Sequence, residues 1–332
     1  MTFGKNRVQY QEFLWTFYKY EDFDTYFYLN GKELAQFTAQ YANRQIPILE
    51  NKIESGLDKR MQFIIFNKLT DLKQSNIGLV SEQDYNTGGV THIIGSKVML
   101  YFDGNHLNFE KQIRAGIAEV LFNQMMFGGS MGKQVKKSTF FSLPNWYKIG
   151  LISYLSDDWN VDFDNRVRDG ILTKRYEKVN NLDGNDAVYA GHSLWRFVAL
   201  KYGKTAVSNI IHMTAASNSI DKGFMYVIGL PFKTLIREWQ AYYMKDYEIF
   251  SQELSMPEDL LDIKYKESQV LGEPSLSPDG SKLAFTSNEM GKFKVWIYDY
   301  ETGKKKKILK EGVMIDTKTD YTYPLLTWHP TG

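Results

Sequence analysis

The chain has 332 residues, a formal net charge of +1 and no cysteine. Its 43% hydrophobic and 24% charged residues are ordinary for a globular protein, and the near-neutral charge gives no electrostatic reason to expect binding to nucleic acid or to an anionic membrane. The lack of cysteine excludes disulfides, cysteine-ligated zinc and cysteine nucleophiles, and no run of about 18 apolar residues predicts a transmembrane segment.

The first part of the chain alternates strand and helix signals. Phe23–Leu29, Met61–Phe66 and Lys97–Phe102 are short, rich in aromatic and β-branched residues, and are predicted to be strands. Lys32–Ile53 repeats apolar residues at helical spacing and is predicted to be a long helix, with a kink or break at Pro47. The predicted order is therefore strand, long helix, strand, strand.

Two further helices stand at the centre of the sequence. Asn108–Gly128 repeats apolar residues at helical spacing without an internal proline, so it is predicted to be a buried helix. Phe140–Ser156 is predicted to be its partner, which the chain enters through the tetrapeptide LPNW. Asn145 is the predicted N-cap of this second helix, because its side chain can accept a hydrogen bond from a free backbone N–H.

The helix pair resembles the core of the gluzincin metallopeptidases, in the branch with a peptidase-MA-like domain. In that family the first helix carries His-Glu-x-x-His, which puts two zinc ligands on one helical face with a general base between them. The second helix opens with Leu-Pro-x-Trp-x-x-Glu-Gly, whose Glu is the third zinc ligand. This chain keeps the frame of that second pattern at Leu143, Pro144, Trp146 and Gly150.

Other residues occupy the positions that carry the family's chemistry. The two histidine positions are Ala115 and Glu119, the general-base position is Gly116, and the third ligand position is Ile149. Alanine, glycine and isoleucine cannot bind a metal or accept a proton, and a single carboxylate cannot hold zinc. Loss of a general base alone costs about 10²–10⁴ in rate. We therefore predict no catalytic residue, metal or cofactor here; the alternative is an ordinary core helix that falls in this frame by chance.

The substrate groove of such a domain can remain after the metal ligands have been lost. In the family, the last strand is a sheet edge that binds extended substrate by β-addition, so the resemblance implies that Ser96–Tyr101 lines the former groove; a plain sheet edge is the alternative. Side chains around the former metal position are candidates for binding a peptide or another ligand, although they could also simply pack and pair. These candidates are Arg114, Glu119, Trp146, Tyr147 and Lys148.

The predicted fold of residues 1–250 is α+β and zincin-like. A small mixed sheet with helices occupies about residues 1–135, and a helical half occupies about residues 136–250. A polar segment, 251–270, is the predicted linker to the C-terminal part of the chain. The helices predicted in the second half are Phe163–Tyr176, Ala187–Tyr202, Thr205–Ala215, Ile220–Ile228 and Pro231–Tyr247.

The last part of the chain differs in kind. A turn-rich segment, Glu273–Gly280, leads into three strand-like runs, and Trp328–Gly332 echoes its Ser-Pro-Asp-Gly motif. The run resembles a TolB-type β-propeller repeat, Pro-x-x-Ser-Pro-Asp-Gly-x-x-Ile/Leu-Ala-Phe-x-Ser. Propellers typically need 4–8 blades, so residues 271–332 are predicted to be an all-β fragment, the first blade and the start of a second, of a propeller truncated at its C-terminus.

Two alternative sites need consideration. A replacement metal site could combine His106, Glu110 and Glu119, but each is more simply explained as a polar surface or helix residue. Ser-His-Asp catalysis has no Gly-x-Ser-x-Gly elbow to support it. His192, on the predicted helix Ala187–Tyr202, is predicted to be a buried or half-buried histidine with satisfied hydrogen bonds.

The predicted function is a non-catalytic binding or scaffold module of a bacterial cell-envelope protein. The resemblance implies export to the periplasm or outer membrane, with a protein, peptide or polysaccharide partner; tyrosine- and lysine-rich chains without cysteine are common among envelope proteins of Bacteroidota-like bacteria. The N-terminal residues lack the apolar core of a signal peptide, so we expect any signal to have been removed from this sequence. The alternatives are a carbohydrate-binding protein, or an active hydrolase or metallopeptidase with an unconventional metal site or a site in the missing blades.

Overall fold

The computed structural model of the protein describes residues 12–74, 92–128, 143–252, 261, 263–266, 268–314, 321 and 324–331. The chain divides into two compact units, Met1–Leu254 and Ser255–Gly332. The division falls inside the segment 251–270. In the first unit, helices surround a small mixed sheet, and the second unit contains a separate antiparallel sheet. The predicted combination of a helix-rich α/β part with an all-β part is confirmed, whereas its zincin-like character stays a prediction.

The sheet of the first unit has five strands, β1 (Thr16–Lys19), β2 (Phe23–Phe27), β3 (Met61–Phe66), β4 (His92–Ile94) and β5 (Lys97–Tyr101). Their order in the sheet is β1-β2-β3-β5-β4. The three central strands, β2, β3 and β5, run parallel, and β1 and β4 pair antiparallel at the two edges.

The predicted groove strand is not the edge of this sheet. Ser96–Tyr101 was expected to lie at the edge, but β5 pairs with β3 on one side and with β4 on the other, and its Val98 and Leu100 are fully buried. The edge is β4, three residues long and too short to give a periodic signal. Its one signal was Gly95-Ser96, a two-residue hairpin turn in which Gly95 adopts a positive φ of 66°.

Nine helices are present within the described ranges of the first unit. Three of them begin at a side chain that accepts a backbone N–H, namely Asn105, Asn160 and Ser219. No helix in the described part combines the length and apolar content needed to cross a membrane. The helices are α1 (Lys32–Ile53), α2 (Leu69–Gln74), α3 (His106–Phe127), α4 (Asn145–Ser156), α5 (Val161–Leu172), α6 (Gly184–Tyr202), α7 (Lys204–Ser217), α8 (Ile220–Ile228) and α9 (Phe232–Gln252).

Two local expectations about these helices are corrected. α1 is not broken at Pro47, where a kink or break was expected. Asn145 does not cap α4: it is the first helical residue, Pro144 holds the cap position, and the Asn145 side chain donates to the Asp183 carboxylate instead. Pro144 is a suitable residue there, because it has no N–H to satisfy and a fixed φ.

The two faces of the sheet are covered differently. On β3, Met61, Phe63 and Ile65 point into a large core that α1 and α3 close, because alternate side chains of a strand share a face. Phe66 belongs to a smaller cluster that includes Leu72 of α2. The large core continues without a break into the helical half, so the sheet-containing and helical parts of the first unit share one interior.

The crossing of α4 and α6 is a backbone-to-backbone contact. A Cβ atom added to Gly191 would lie 2.2 Å from the carbonyl oxygen of Trp146, and one added to Gly150 would lie 2.4 Å from the Cα of Gly191. Only glycine fits at both positions. Close to this crossing, the fully buried rings of Trp146 and Trp195 lie 6.3 Å apart, and Phe232 of α9 stacks on Trp146 at 5.3 Å.

The second unit contains a four-stranded antiparallel meander. Its strands follow chain order, β6 (Val270–Leu276), β7 (Lys282–Glu289), β8 (Lys292–Asp299) and β9 (Lys304–Glu311). β6 takes up the first part of the segment Glu273–Gly280, for which no strand was predicted. Asp279 closes the β6–β7 turn by accepting from the hydroxyls of Ser277 and Ser281, and these hydrogen bonds hold its pKa at about 2. The indole N–H of Trp328, from the repeated motif, donates to the carbonyl of Ser275 at 2.9 Å.

We predict that Gly191→Ala destabilises the first unit by about 1–3 kcal/mol, because the added methyl group must push α4 and α6 apart. The free energy of unfolding, measured by urea denaturation, tests this. Gly56→Ala is the matched control: the nearest atom to its Cβ lies 3.7 Å away, so we expect a change within about 0.5 kcal/mol. Equal effects of the two substitutions would contradict the close helix crossing.

Candidate functional site

The four positions that the gluzincin resemblance assigns to catalysis lie on α3 and α4. Ala115 and Gly116 are buried inside the first unit, and Ile149 packs against its core. Glu119, one helical turn beyond Ala115, is partly exposed and turns towards α4. Three of the four positions therefore present backbone or apolar surface, and only Glu119 presents a functional group.

Glu119 forms an ion pair with Lys148. The Lys148 ammonium lies 2.7 Å from Oε1 of Glu119, and the two side chains are 33% and 17% exposed. Lys148 directly precedes Ile149, so a lysine cation meets the remaining carboxylate beside the position that corresponds to the third zinc ligand. A protonated lysine has three hydrogen-bond donors and no lone pair, so it cannot act as a metal ligand. Both residues were in the predicted groove set, but their pairing was not foreseen.

Arg114 has a structural role at the other end of α4. Its Nε donates to the carbonyl of Ser156 at 2.7 Å, and its guanidinium also hydrogen bonds to the hydroxyl of Tyr41. Ser156 is the last residue of α4, where carbonyl groups lack helical partners. Arg114 thus caps α4 from α3, and both its Nε and its Nη1 are engaged by protein groups.

Trp146 and Tyr147 belong to the core and not to the lining of a groove. Both are fully buried. The Trp146 indole donates to Oδ1 of Asn180 at 2.7 Å, and the carbonyl of Tyr147 accepts from the indole of Trp195 at 3.1 Å. Burial also raises the pKa of the Tyr147 hydroxyl. A ligand could reach these rings only if the core opened, so the predicted groove set is corrected to Glu119 and Lys148.

The alternative metal set does not converge. His106 and Glu119 are 13 residues apart on one helix (119 − 106), which separates them by about 20 Å along its axis. Glu110 lies 3.9 Å from Arg114, and His106 lies against the rings of Phe37 and Phe102. In the part of the chain that the structure describes, no group of three or more His, Asp or Glu side chains is arranged to hold a metal ion.

A serine and a histidine meet inside the helical half. Oγ of Ser153 lies 2.9 Å from Nδ1 of His192, and each residue is only 1% exposed. Burial, with a smaller effect of the nearby Arg196, lowers the pKa of His192 to about 3. The serine hydroxyl is almost completely buried, and an imidazole with so low a pKa is a poor general base. The pair is therefore part of the packing between α4 and α6, and the sequence revealed only its histidine.

No protein-family model matches this chain, and no curated protein has a significantly similar sequence. The gluzincin-type and TolB-type assignments stay predictions. They rest on the residues quoted for them.

The Glu119–Lys148 pair is expected to show a coupling energy of about 0.5–1 kcal/mol in a double-mutant cycle of Glu119→Gln and Lys148→Met, because each variant alone leaves a half-buried charge without its partner. Urea denaturation of the four proteins measures it. The Asp162–Arg166 pair, at 3.5 Å and with side chains 63% and 61% exposed, is the control and should couple more weakly. A coupling energy of zero between Glu119 and Lys148 would refute the pairing.

His192 makes the stability of the first unit depend on pH. Its folded-state pKa of about 3 lies below its ordinary value of 6.5, so the unfolded chain binds the proton first and stability falls as the pH drops below about 6.5. From pH 7 to pH 5 this linkage costs about 2 kcal/mol. We predict that His192→Gln, which keeps a polar side chain, loses about 2 kcal/mol less than the wild type over that interval. Parallel stability curves for the two proteins would exclude a buried neutral His192.

Proposed function

We propose that this chain is a non-catalytic binding or scaffold module of a bacterial cell-envelope protein, in which a gluzincin-like pseudopeptidase domain precedes the first part of a TolB-type β-propeller. The Glu119–Lys148 ion pair carries the proposal. At the site where the resemblance implies a zinc ion between two helices, this chain has a lysine cation bound to the only remaining carboxylate.

The chemistry of the neighbouring positions supports the same conclusion. Ala115, Gly116 and Ile149 offer no lone pair to a metal and no base to a water molecule. Glu119 is held by Lys148 in an ion pair of 2.7 Å, so it could act on a water molecule only by breaking that contact. A hydrolytic site would need at least one of these functions.

The second unit supports the binding role. Four antiparallel strands in chain order are typical of one propeller blade, and the contact between Trp328 and Ser275 brings the repeated motif beside the first strand of the meander. Propellers present broad surfaces, so we propose a protein, peptide or polysaccharide partner. Location in the periplasm or at the outer membrane is part of the proposal and rests on the resemblance.

The proposal predicts that the purified wild-type protein, equilibrated with Zn²⁺ and desalted, retains no stoichiometric zinc by elemental analysis and cleaves no peptide in a chelator-sensitive manner. The variant Ala115→His/Glu119→His/Ile149→Glu, which restores the three ligand types, should retain about one zinc ion if it folds by circular dichroism. Ile149→Glu alone is the control and should retain none.

The measurements on the wild type and on the triple variant test two different claims. Stoichiometric zinc or chelator-sensitive cleavage in the wild type would refute the non-catalytic function. A folded triple variant that retains no zinc would instead refute the alignment of these positions with the metallopeptidase ligands.

A further inference from the structure

A polar cavity of about 410 Å³ lies in the helical half of the first unit. The C-terminal ends of α1 and α4, the middle of α6 and the first turn of α7 form its walls. Lys148 and the cavity residue Leu155 are seven positions apart on α4, which is about 10 Å along the helix. The cavity therefore uses neither member of the Glu119–Lys148 pair. Its volume falls within the range of small-molecule sites.

Three cationic side chains line this cavity, Lys52, Arg196 and Lys204. Burial lowers the pKa of Lys52, the nearby Asp158 raises it, and Arg114 and Lys204 lower it with smaller effects. These cations could pair with the carboxylate of a ligand. No side chain caps the N-terminus of α7, a 14-residue helix whose first turn belongs to the same wall and whose dipole favours an anion.

His192 also lines the cavity. It is 1% exposed, and its Nδ1 is occupied by Ser153. A ligand in the cavity could form a hydrogen bond with the other ring nitrogen, Nε2.

The remaining lining restricts the ligand's charge and shape. Asp157 is neutralised by Lys111 at 3.0 Å, whereas Glu54 and Asp158 also face the cavity. Two such carboxylates disfavour a dianion such as phosphate and can receive an ammonium group. The Cζ atom of Arg196 lies 4.5 Å from the centre of the Trp159 ring. Trp159 and Leu155 together form an apolar part of the cavity wall.

We propose that this cavity binds a small zwitterion, a free amino acid or a dipeptide with an apolar side chain. Its carboxylate contacts Arg196, Lys204 and the N-terminus of α7. Its ammonium group contacts Asp158 or Glu54, and its side chain packs on Trp159. The proposal is independent of the function proposed above, because none of these residues belongs to the degenerate metal site.

Isothermal titration calorimetry with phenylalanine, alanyl-phenylalanine, hydrocinnamate, phenethylamine and inorganic phosphate tests the proposal on the full chain. We expect saturable binding of the two zwitterions, weaker binding of hydrocinnamate, which lacks the ammonium group, and no binding of phenethylamine or phosphate. The ¹⁵N resonance of His192 Nε2 should shift on addition of alanyl-phenylalanine, which locates the ligand in this cavity.

The charge-reversal variant Lys204→Glu should weaken zwitterion binding at least ~10-fold, equivalent to about 1.4 kcal/mol. Lys204 is exposed, so the variant is expected to fold. Lys233→Glu, at an exposed position on α9 outside the cavity, is the matched control and should bind as the wild type does. Lack of binding by every probe, tightest binding of phosphate, or equal binding by the Lys204→Glu variant and the wild type would each overturn the proposal.

Discussion

The backbone contact between Gly150 and Gly191 fixes the position of α4, and the other features of the first unit depend on it. With α4 pressed against α6, Ser153 meets His192, and Trp146 and Tyr147 are enclosed by aromatic side chains from α6, α8 and α9. The same placement brings Lys148 to Glu119 and the last turn of α4 to Arg114. This backbone contact therefore determines the position of the Glu119–Lys148 pair, of the buried histidine and of one wall of the cavity.

The ion pair does not hold α3 and α4 together in the way that a metal would. A structural zinc ion contributes about 10–16 kcal/mol in apparent binding free energy, whereas a partly exposed ion pair contributes about 0–1 kcal/mol. Apolar burial has to supply the difference. α3 buries Ile113, Ile117, Val120, Leu121 and Phe122 completely, at about 1.5–3 kcal/mol each. The helix pair therefore keeps its packing without a metal ion between α3 and α4.

The sequence predicted long, strongly periodic elements well and short or exceptional ones poorly. The bounds of α1, β3 and α8 agree with the structure, because each has a clear apolar period and clear ends. β1, β4 and β6 were missed, since three to seven residues with mixed polarity carry no reliable period. α1 is not broken at Pro47 because this proline is exposed: the carbonyl left without a partner faces water, while Ile46 and Leu49 keep α1 on the core. In the candidate site, Glu119 and Lys148 were found from the motif frame, but α4 is apolar on nearly all sides and gave no signal of which side faces solvent.

The order of Arg114 and Glu119 along α3 matches the dipole of α4. α4 has no acidic residue in its first turn and carries Lys148 there, where a cation opposes the dipole by about 0.3–1 kcal/mol. Its last turn contains no basic residue. α3 supplies both missing charges: Glu119 reaches the start of α4, and Arg114, five residues earlier on α3, reaches the last carbonyl of α4. Because the two helices run antiparallel, an acid that follows a base along α3 gives each end of α4 the sign it needs. Glu119 and Arg114 therefore stabilise α4 at its two ends, and this role of Glu119 needs no metal ion.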